Sequence, residues 1–282
     1  MDASRALRNE RGCPDIRNEK RVDGTIVALG GGGFSMAEDG RSVIDDRLLK
    51  MAEQARANRR KRAPRPDVET ESPDAVSDLR VCFVPTASGD DPAYIQRFED
   101  AFAEHVETHV LSLFGQAGQE YSAPSMLLDM DLVYVGGGST VNLLALWRRH
   151  GVDDALRQAA ANGVILAGIS AGANCWFDAS STDSFGRLAP LNDGLGFISG
   201  SACPHFHSEA DRAETFHDWI GSGELPGPGL AIDDGAAVVF DRAGAASVMV
   251  EAPEAWAYVV TGQVPVRPVT HCADRLWGRA EP

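Results

Sequence analysis

Residues 163–176 read GVILAGISAGANCW, and this stretch decides the fold. It starts with a short apolar run of the kind that forms a buried strand in a parallel sheet. Ser170 follows, with a glycine two residues to either side, and helix-forming residues come next. The pattern Gly-x-Ser-x-Gly between a strand and a helix is typical of a nucleophile elbow, a strained turn that exposes the serine hydroxyl. Ser170 is therefore our candidate nucleophile.

Strands and helices alternate on both sides of this stretch. The sequence predicts strands at 25–29, 80–86, 109–114, 131–138 and 163–170, and helices at 43–55, 91–104, 140–149, 152–162 and 171–178. Shorter strands follow residue 195, at 229–234, 236–240, 246–250 and 255–260. Continuous apolar strands that alternate with helices favour an α/β fold, doubly wound, with a mostly parallel sheet and helices on both faces. We expect short antiparallel strands at one edge.

The chain is interpreted as one catalytic domain, 24–282, after a flexible N-terminal extension at 1–23. The extension has no hydrophobic periodicity. A second polar stretch, at about 58–79, carries a basic block, prolines and acids, and almost no apolar side chains. Such a composition favours a disordered insertion between a helix and a strand.

Composition limits the classes of function. The 282 residues carry a formal net charge of −15, and the acidic excess lies wholly after residue 80. An acidic surface repels nucleic acids and anionic membranes, so we expect neither as a partner. The sequence has no apolar run of about 20 residues, its N-terminus is charged, and its five cysteines form no CxxC pair. These features predict a cytoplasmic protein with reduced thiols.

A serine nucleophile needs a base, and His205 is our candidate. Of the seven histidines, His205 and His207 lie in SACPHFHSE, between a predicted strand and a helix. That is where a catalytic loop residue is expected, and His207 is the second choice. Cys203 with these two histidines also suggests zinc, but the spacing is too tight for the usual ligand sets. We expect no metal and no cofactor.

The third member of a triad is a carboxylate that orients the imidazole. Two aspartates follow Ser170 closely, Asp178 and Asp183. Asp178 is predicted to lie on the helix after the serine. Asp183 lies in a polar loop that ends at Gly186 and can fold back towards His205, so we prefer Asp183.

Hydrogen-bond donors for an oxyanion can come from two places. The N–H of Ala171 directly follows the nucleophile. In the GGGS loop at 136–139, Gly137 and Gly138 can turn their N–H groups inward. A phosphate-binding loop is the alternative for this segment, but the sequence has no G-x-G-x-x-G and no P-loop pattern.

Four motifs now stand in order: VYVGGGST, GISAGANCW, TDSFG and CPHF. Together they resemble the serine peptidases that include peptidase E (aspartyl dipeptidase) and cyanophycinase. The resemblance runs from about residue 24 to 260 and is strongest between 131 and 210. It implies a flavodoxin-like fold, similar to class I glutamine amidotransferases but with serine in place of the nucleophilic cysteine. It also implies a triad of Ser170, Asp183 and His205, and an oxyanion hole at Gly137 or Gly138 with Ala171.

The expected function is hydrolysis of short peptides, including dipeptides with an N-terminal aspartate, through an acyl-enzyme. A small peptide is thus the expected partner, and a homodimer the expected assembly. An acidic substrate side chain would need an arginine, for which Arg187 and Arg212 are candidates. The alternatives are an esterase-like serine hydrolase and a catalytically silent, amidotransferase-like metabolite-binding protein.

Overall fold

The structure, a computed structural model, describes residues 22–38, 40–62, 77–115, 120–242, 246–262 and 267–268. Two β-sheets form its framework. None of the helices in these ranges is both long and apolar enough to cross a bilayer.

The first sheet has seven strands. They are β1 (Ile26–Leu29), β2 (Ser77–Val84), β3 (Val106–Val110), β4 (Leu132–Val135), β5 (Ile165–Ile169), β10 (Ala236–Phe240) and β11 (Ala246–Val250). Their spatial order is β11-β10-β1-β5-β4-β2-β3. The five strands from β1 to β3 in this order are parallel to one another. At the edge next to β1, β10 pairs antiparallel with β1, and β11 pairs antiparallel with β10. Read in the opposite direction, the parallel strands have the order β3-β2-β4-β5-β1. This matches the flavodoxin-like order 2-1-3-4-5 when β2 takes the place of the first strand and β1 that of the fifth.

Helices cover both faces of this sheet, as the sequence predicts. They are α1 (Val43–Arg62), α2 (Pro92–Phe102), α3 (Thr140–His150), α4 (Val152–Ala161) and α5 (Ala171–Asn174). The core on one face includes apolar side chains of α1 and α2, and the core on the other includes side chains of α3, α4 and α5. The ends of the helices match their sequence signals. The side chain of Asp91 accepts a hydrogen bond from Ala93 N at the start of α2, and Gly151 ends α3 in the left-handed conformation.

The second sheet has six strands and corrects the expectation for the short strands after residue 195, because those at 229–234 and 255–260 belong to this sheet and not to the edge of the first. Its strands are β6 (Phe177–Thr182), β7 (Ala189–Leu191), β8 (Ile198–Cys203), β9 (Gly229–Ile232), β12 (Ala257–Val260) and β13 (Arg267–Pro268), and the spatial order is β13-β12-β9-β8-β6-β7. Strands β6, β8 and β9 are parallel to one another. Apolar residues of this sheet share the core with α3, α4 and α5, and α6 (Arg212–Ser222) packs on it with a smaller cluster.

Several boundaries differ from the sequence predictions; the strand expected at 109–114, for example, is β3 at Val106–Val110. The helix after Ser170 ends at Asn174, because Trp176 and Phe177 are buried where the chain turns into β6. Val22 is buried in the core, so the end of the predicted extension belongs to the fold, whereas residues 1–21 lie outside the described residues. Of the predicted insertion, 58–62 complete α1 and β2 begins at Ser77, and residues 63–76 lie outside the described residues.

Candidate active site

Ser170 sits on a strained turn at the carboxyl end of β5. Its backbone has φ 55° and ψ −110°, a conformation that L-residues with a side chain rarely adopt. The flanking glycines allow it: a β-carbon at Gly168 would collide with the carbonyl of Gly172, and one at Gly172 would press on the carbonyl of Val135. The Gly-x-Ser-x-Gly pattern therefore has a steric cause in this fold.

Ser170, His205 and Asp234 form a continuous chain of hydrogen bonds. Ser170 Oγ lies 2.9 Å from Nε2 of His205, and Nδ1 of His205 lies 2.6 Å from Oδ1 of Asp234. His205 has a φ of 55°, so its backbone is strained like that of Ser170. Serine, imidazole and carboxylate in this order can move a proton from the hydroxyl to the imidazole while the carboxylate holds the ring.

The carboxylate next to His205 is Asp234, so the prediction of Asp183 at this position is corrected. Asp183 lies on the loop after β6, its side chain is 63% exposed, and its Oδ2 lies 3.9 Å from Nη2 of Arg212. Asp178 is not on a helix but in β6, where it accepts a hydrogen bond from Gly200 N.

Strand pairing in the second sheet explains the correction. Strands β8 and β9 are parallel neighbours, with Cys203 opposite Ala231. Their carboxyl ends therefore meet, and the turns that follow bring His205 and Asp234 together. A signal is present in the sequence: the predicted strand 229–234 ends in two acids before a glycine, the position where sites in parallel sheets gather.

The pKa of Asp234 is lowered, which suits a carboxylate that accepts a hydrogen bond from an imidazole. Burial alone would raise the pKa of Asp234, but hydrogen bonds from His205 and Ser208, with the charges of His205 and Arg212, lower it below its ordinary value. The carboxylate is thus ionised at neutral pH and can accept the N–H of His205.

A second His–Asp pair lies beside the first. Nδ1 of His207 is 2.8 Å from Oδ1 of Asp233, while Oδ2 of Asp233 accepts hydrogen bonds from the backbone N of Trp256 and the hydroxyl of Tyr258. Burial and the charge of Asp233 raise the pKa of Tyr258 to about 12, so this phenol stays a donor. His207, our second choice for the base, is therefore held by another carboxylate and is not the partner of Ser170.

The glycine loop after β1 packs against the acid side of the site. A β-carbon at Gly31 would collide with the carboxylate of Asp234 and come within 3.0 Å of the His205 ring. Gly31 also accepts a hydrogen bond from Gly235 N, just after Asp234. This loop thus serves close packing of the backbone around Asp234.

Below the same loop lies a buried carboxylate, Asp45. It accepts hydrogen bonds from the hydroxyl of Tyr134 and the backbone N of Ser42. Burial raises its pKa to about 6, with a smaller contribution from the charge of Glu251. Glu251 in turn accepts a hydrogen bond from Gly33 N, which links this network to the glycine loop.

Two of the three predicted oxyanion donors, Gly137 and Ala171, lie next to Ser170. A β-carbon at Gly137 would lie 3.4 Å from Cβ of Ser170, so this loop passes directly beside the serine. The N–H of Gly137 donates to the hydroxyl of Tyr94 at 3.3 Å, and Gly138, at φ 134°, packs against the carbonyl of Ala87. Ala171 begins α5, where first-turn N–H groups have no acceptor within the helix.

The two predicted substrate-binding arginines differ in environment. Arg187 is exposed on the loop that follows Asp183. Arg212 is only 3% exposed, and its Nε donates to Glu209 at 2.5 Å. Its Nη1 is buried without a hydrogen-bond partner among the described residues.

No metal ligand set stands out in the described part of the chain, where no cluster of three or more His, Cys, Asp or Glu side chains could hold an ion. Cys203 is buried, and burial raises the pKa of its thiol to about 12, which keeps it protonated. The absence of a metal from the reaction stays a prediction.

Known relatives of the chain are peptidases. It is 46% identical over 217 residues to an uncharacterised peptidase, YgaJ, of Bacillus subtilis (strain 168), a match that covers 76% of this chain and 82% of that protein. It is 28% identical over 175 residues to peptidase E of Streptomyces coelicolor (strain ATCC BAA-471 / A3(2) / M145), with coverages of 58% and 70%. The class of protein is therefore that of the peptidases, which hydrolyse peptide bonds.

The family follows from a second match. The family model described as peptidase family S51 matches residues 66–248. The chain belongs to peptidase family S51, and the resemblance drawn from the four motifs is confirmed. A crystal structure of a peptidase from an acI-B1 actinobacterium has the same fold, with a TM-score of 0.62 and 17% identity over 87% of this chain and 93% of that one.

Proposed function

We propose that the protein is a serine exopeptidase that cleaves short peptides through a Ser170–His205–Asp234 triad. The observation that carries the proposal is the unbroken hydrogen-bond chain from Ser170 Oγ through His205 to Asp234. Membership of a peptidase family supports the reaction class, and the name of the relative peptidase E supports the choice of small substrates.

The first half of the reaction forms an acyl-enzyme. Ser170 Oγ attacks the carbonyl carbon of the scissile bond as its proton passes to Nε2 of His205. The N–H groups of Ala171 and of Gly137 or Gly138 donate hydrogen bonds to the oxyanion. The N–H of Gly137, which donates to the Tyr94 hydroxyl in this structure, would then donate to the oxyanion instead. The C–N bond then breaks, and His205 gives its proton to the leaving amine.

The second half releases the product. A water molecule gives a proton to His205 and attacks the ester carbon, and the Ser170 oxygen leaves with the proton that His205 returns. Asp234 stays ionised throughout, fixing the ring so that Nδ1 carries a proton and Nε2 faces the serine.

Dipeptides with an N-terminal aspartate are the substrates to try first. An acidic side chain calls for a guanidinium, and the two candidates differ in how much of their charge is already compensated. Arg212 pairs with Glu209 and lies near Asp183, whereas Arg187 is exposed. Arg187 is exposed to solvent and is therefore the arginine to substitute first. A cytoplasmic location and a homodimer stay predictions.

The test is Ser170→Ala, assayed against a dipeptide library and a serine-reactive phosphonate probe. We expect kcat/KM to fall by at least about 10⁴-fold and labelling to disappear, because no other group replaces the attacking oxygen. Ser222→Ala, at the far end of α6, is the matched control and should behave like the wild type. Full peptidase activity in Ser170→Ala would refute the proposal.

A further inference from the structure

The triad depends on two short turns that must stay in register. His205 lies on the turn after β8 and Asp234 on the turn after β9. At a positive φ, His205 holds a conformation that persists only where the surroundings over-determine it. Contacts other than the His205–Asp234 hydrogen bond are therefore expected between the two turns.

Two contacts join these turns besides the His205–Asp234 hydrogen bond. The backbone N of Phe206 donates to the carbonyl of Ile232 at 3.2 Å. One residue further along each turn, His207 Nδ1 meets Asp233 Oδ1 at 2.8 Å. Each partner in these contacts is within two residues of His205 or Asp234, so little backbone freedom is left between the pairs.

Asp233 is anchored as well as bonded. Its side chain is 11% exposed, and its second oxygen accepts from Trp256 N and the Tyr258 hydroxyl, while its own backbone N donates to the carbonyl of Trp256. The His207 ring packs edge-on against Tyr258 and against Phe206. The second pair is thereby fixed to the segment that leads into β12.

We propose that His207 and Asp233 are positioning residues, which hold the His205 imidazole in line between Ser170 and Asp234. A small rotation of His205 would lengthen the Ser170 hydrogen bond, and misplacement of a catalytic group by about 1 Å can cost about 10²-fold in rate. The proposal rests on the proposed triad. His207 is itself 54% exposed, so its ring is not needed to fill the core.

The test compares His207→Leu with His207→Asn. Leucine leaves Asp233 Oδ1 without its donor, whereas the asparagine amide can replace Nδ1 of the histidine. We expect the rate of phosphonate labelling at Ser170, and kcat, to fall about 10-fold in His207→Leu with KM unchanged, and to recover to within about 3-fold of wild type in His207→Asn. His150→Leu, at the far end of α3, is the matched control and should keep the wild-type rate.

A double-mutant cycle that combines His207→Leu with Asp234→Asn separates positioning of His205 from general destabilisation of the fold. If the second pair acts through the His205–Asp234 contact, His207→Leu should add less than about 2-fold once Asp234 has been changed. Asp233→Ser, whose side chain is too short to reach His207, repeats the test from the other partner should His207→Leu fail to fold.

Three outcomes would overturn the inference: a labelling rate in His207→Leu equal to that of the wild type, an effect confined to KM, or an equal loss with and without Asp234. The wild type must label at Ser170 for any of these to be read. Absence of that labelling would count against the proposed triad itself, so the two failures are distinguishable.

Discussion

The two His–Asp pairs are built from the same two turns, and they differ in what surrounds each partner. His205 is mostly buried, with its second nitrogen on the hydroxyl of Ser170, whereas His207 is half exposed. Asp233 also accepts hydrogen bonds from Trp256 N, just before β12, and from the Tyr258 hydroxyl in β12, while Asp234 faces the glycine loop at Gly31. A carboxylate beside an imidazole is therefore not a catalytic signature on its own. The atom that the far nitrogen meets decides the role.

A third buried carboxylate extends the comparison. Asp45 has hydrogen-bond donors but no imidazole, and burial raises its pKa to about 6. Asp234 is also partly buried, yet the hydrogen bonds and positive charges around it lower its pKa. Asp45 is fully buried, whereas the Asp234 side chain is 25% exposed, so Asp234 loses less hydration and the hydrogen bonds from His205 and Ser208 are enough to lower its pKa.

The largest expected effect comes from breaking the first pair. In Asp234→Asn the amide no longer fixes the tautomer in which His205 Nε2 can accept the serine proton, so kcat should fall by about 10³–10⁴-fold. Asp183→Asn changes an exposed acid on the loop after β6 and should stay within about 3-fold of wild type. Steady-state assays on the same peptide measure both. A larger loss in Asp183→Asn than in Asp234→Asn would restore the assignment made from the sequence.

A smaller effect is expected from Gly31→Ala, which crowds the first pair and leaves the second in place. The added methyl group must displace the Asp234 carboxylate or the His205 ring, and we expect kcat/KM to fall by about 10²-fold. Gly221→Ala, where a β-carbon finds only ordinary contacts in α6, is the control. Unchanged activity in Gly31→Ala would show that the loop does not constrain the triad.

The last effect is on folding stability and not on activity, and it concerns Asp45, the carboxylate without an imidazole partner. The folded-state pKa of Asp45, about 6, lies above its ordinary value of 3.8, so the folded state binds the proton more tightly and loses stability as pH rises between these values. Asn resembles the protonated acid. The difference in unfolding free energy between Asp45→Asn and the wild type should therefore change by about 2–3 kcal/mol, in favour of the variant, as the pH rises from 4 to 7.

Urea unfolding at a series of pH values measures this gain. Asp46→Asn, in the next position and half exposed, is the control and should follow the wild-type pH dependence. Parallel stability curves for wild type and Asp45→Asn would contradict the raised pKa.

Much of this architecture is readable from the sequence because its signals are local. The buried strands β1, β2, β4 and β5, the glycines that permit the turn at Ser170, and the cap residues of α2 and α3 each act within a few residues of themselves. The choice of Ser170 and His205 follows from such signals, and the structure brings these two side chains together.

Asp234 is missed for the opposite reason. It comes 29 residues after His205, and the two meet only because β8 and β9 pair in parallel with Cys203 opposite Ala231. Such a register depends on packing between distant segments, which no local pattern specifies. The loop with Asp183 is polar and closer to His205 along the chain, so the sequence favours Asp183 as the acid. In the structure Asp183 is exposed and is not the carboxylate that contacts His205.

The seam between the two sheets has a consequence for the newly made chain. Ser170 follows a strand of the first sheet, whereas His205 and Asp234 both follow strands of the second. A chain whose second sheet has not yet docked carries the serine without a base, and its hydroxyl is no more reactive than that of any other serine. The proposed triad is therefore complete only where the two sheets are docked, and a molecule in which they are apart has no imidazole beside Ser170.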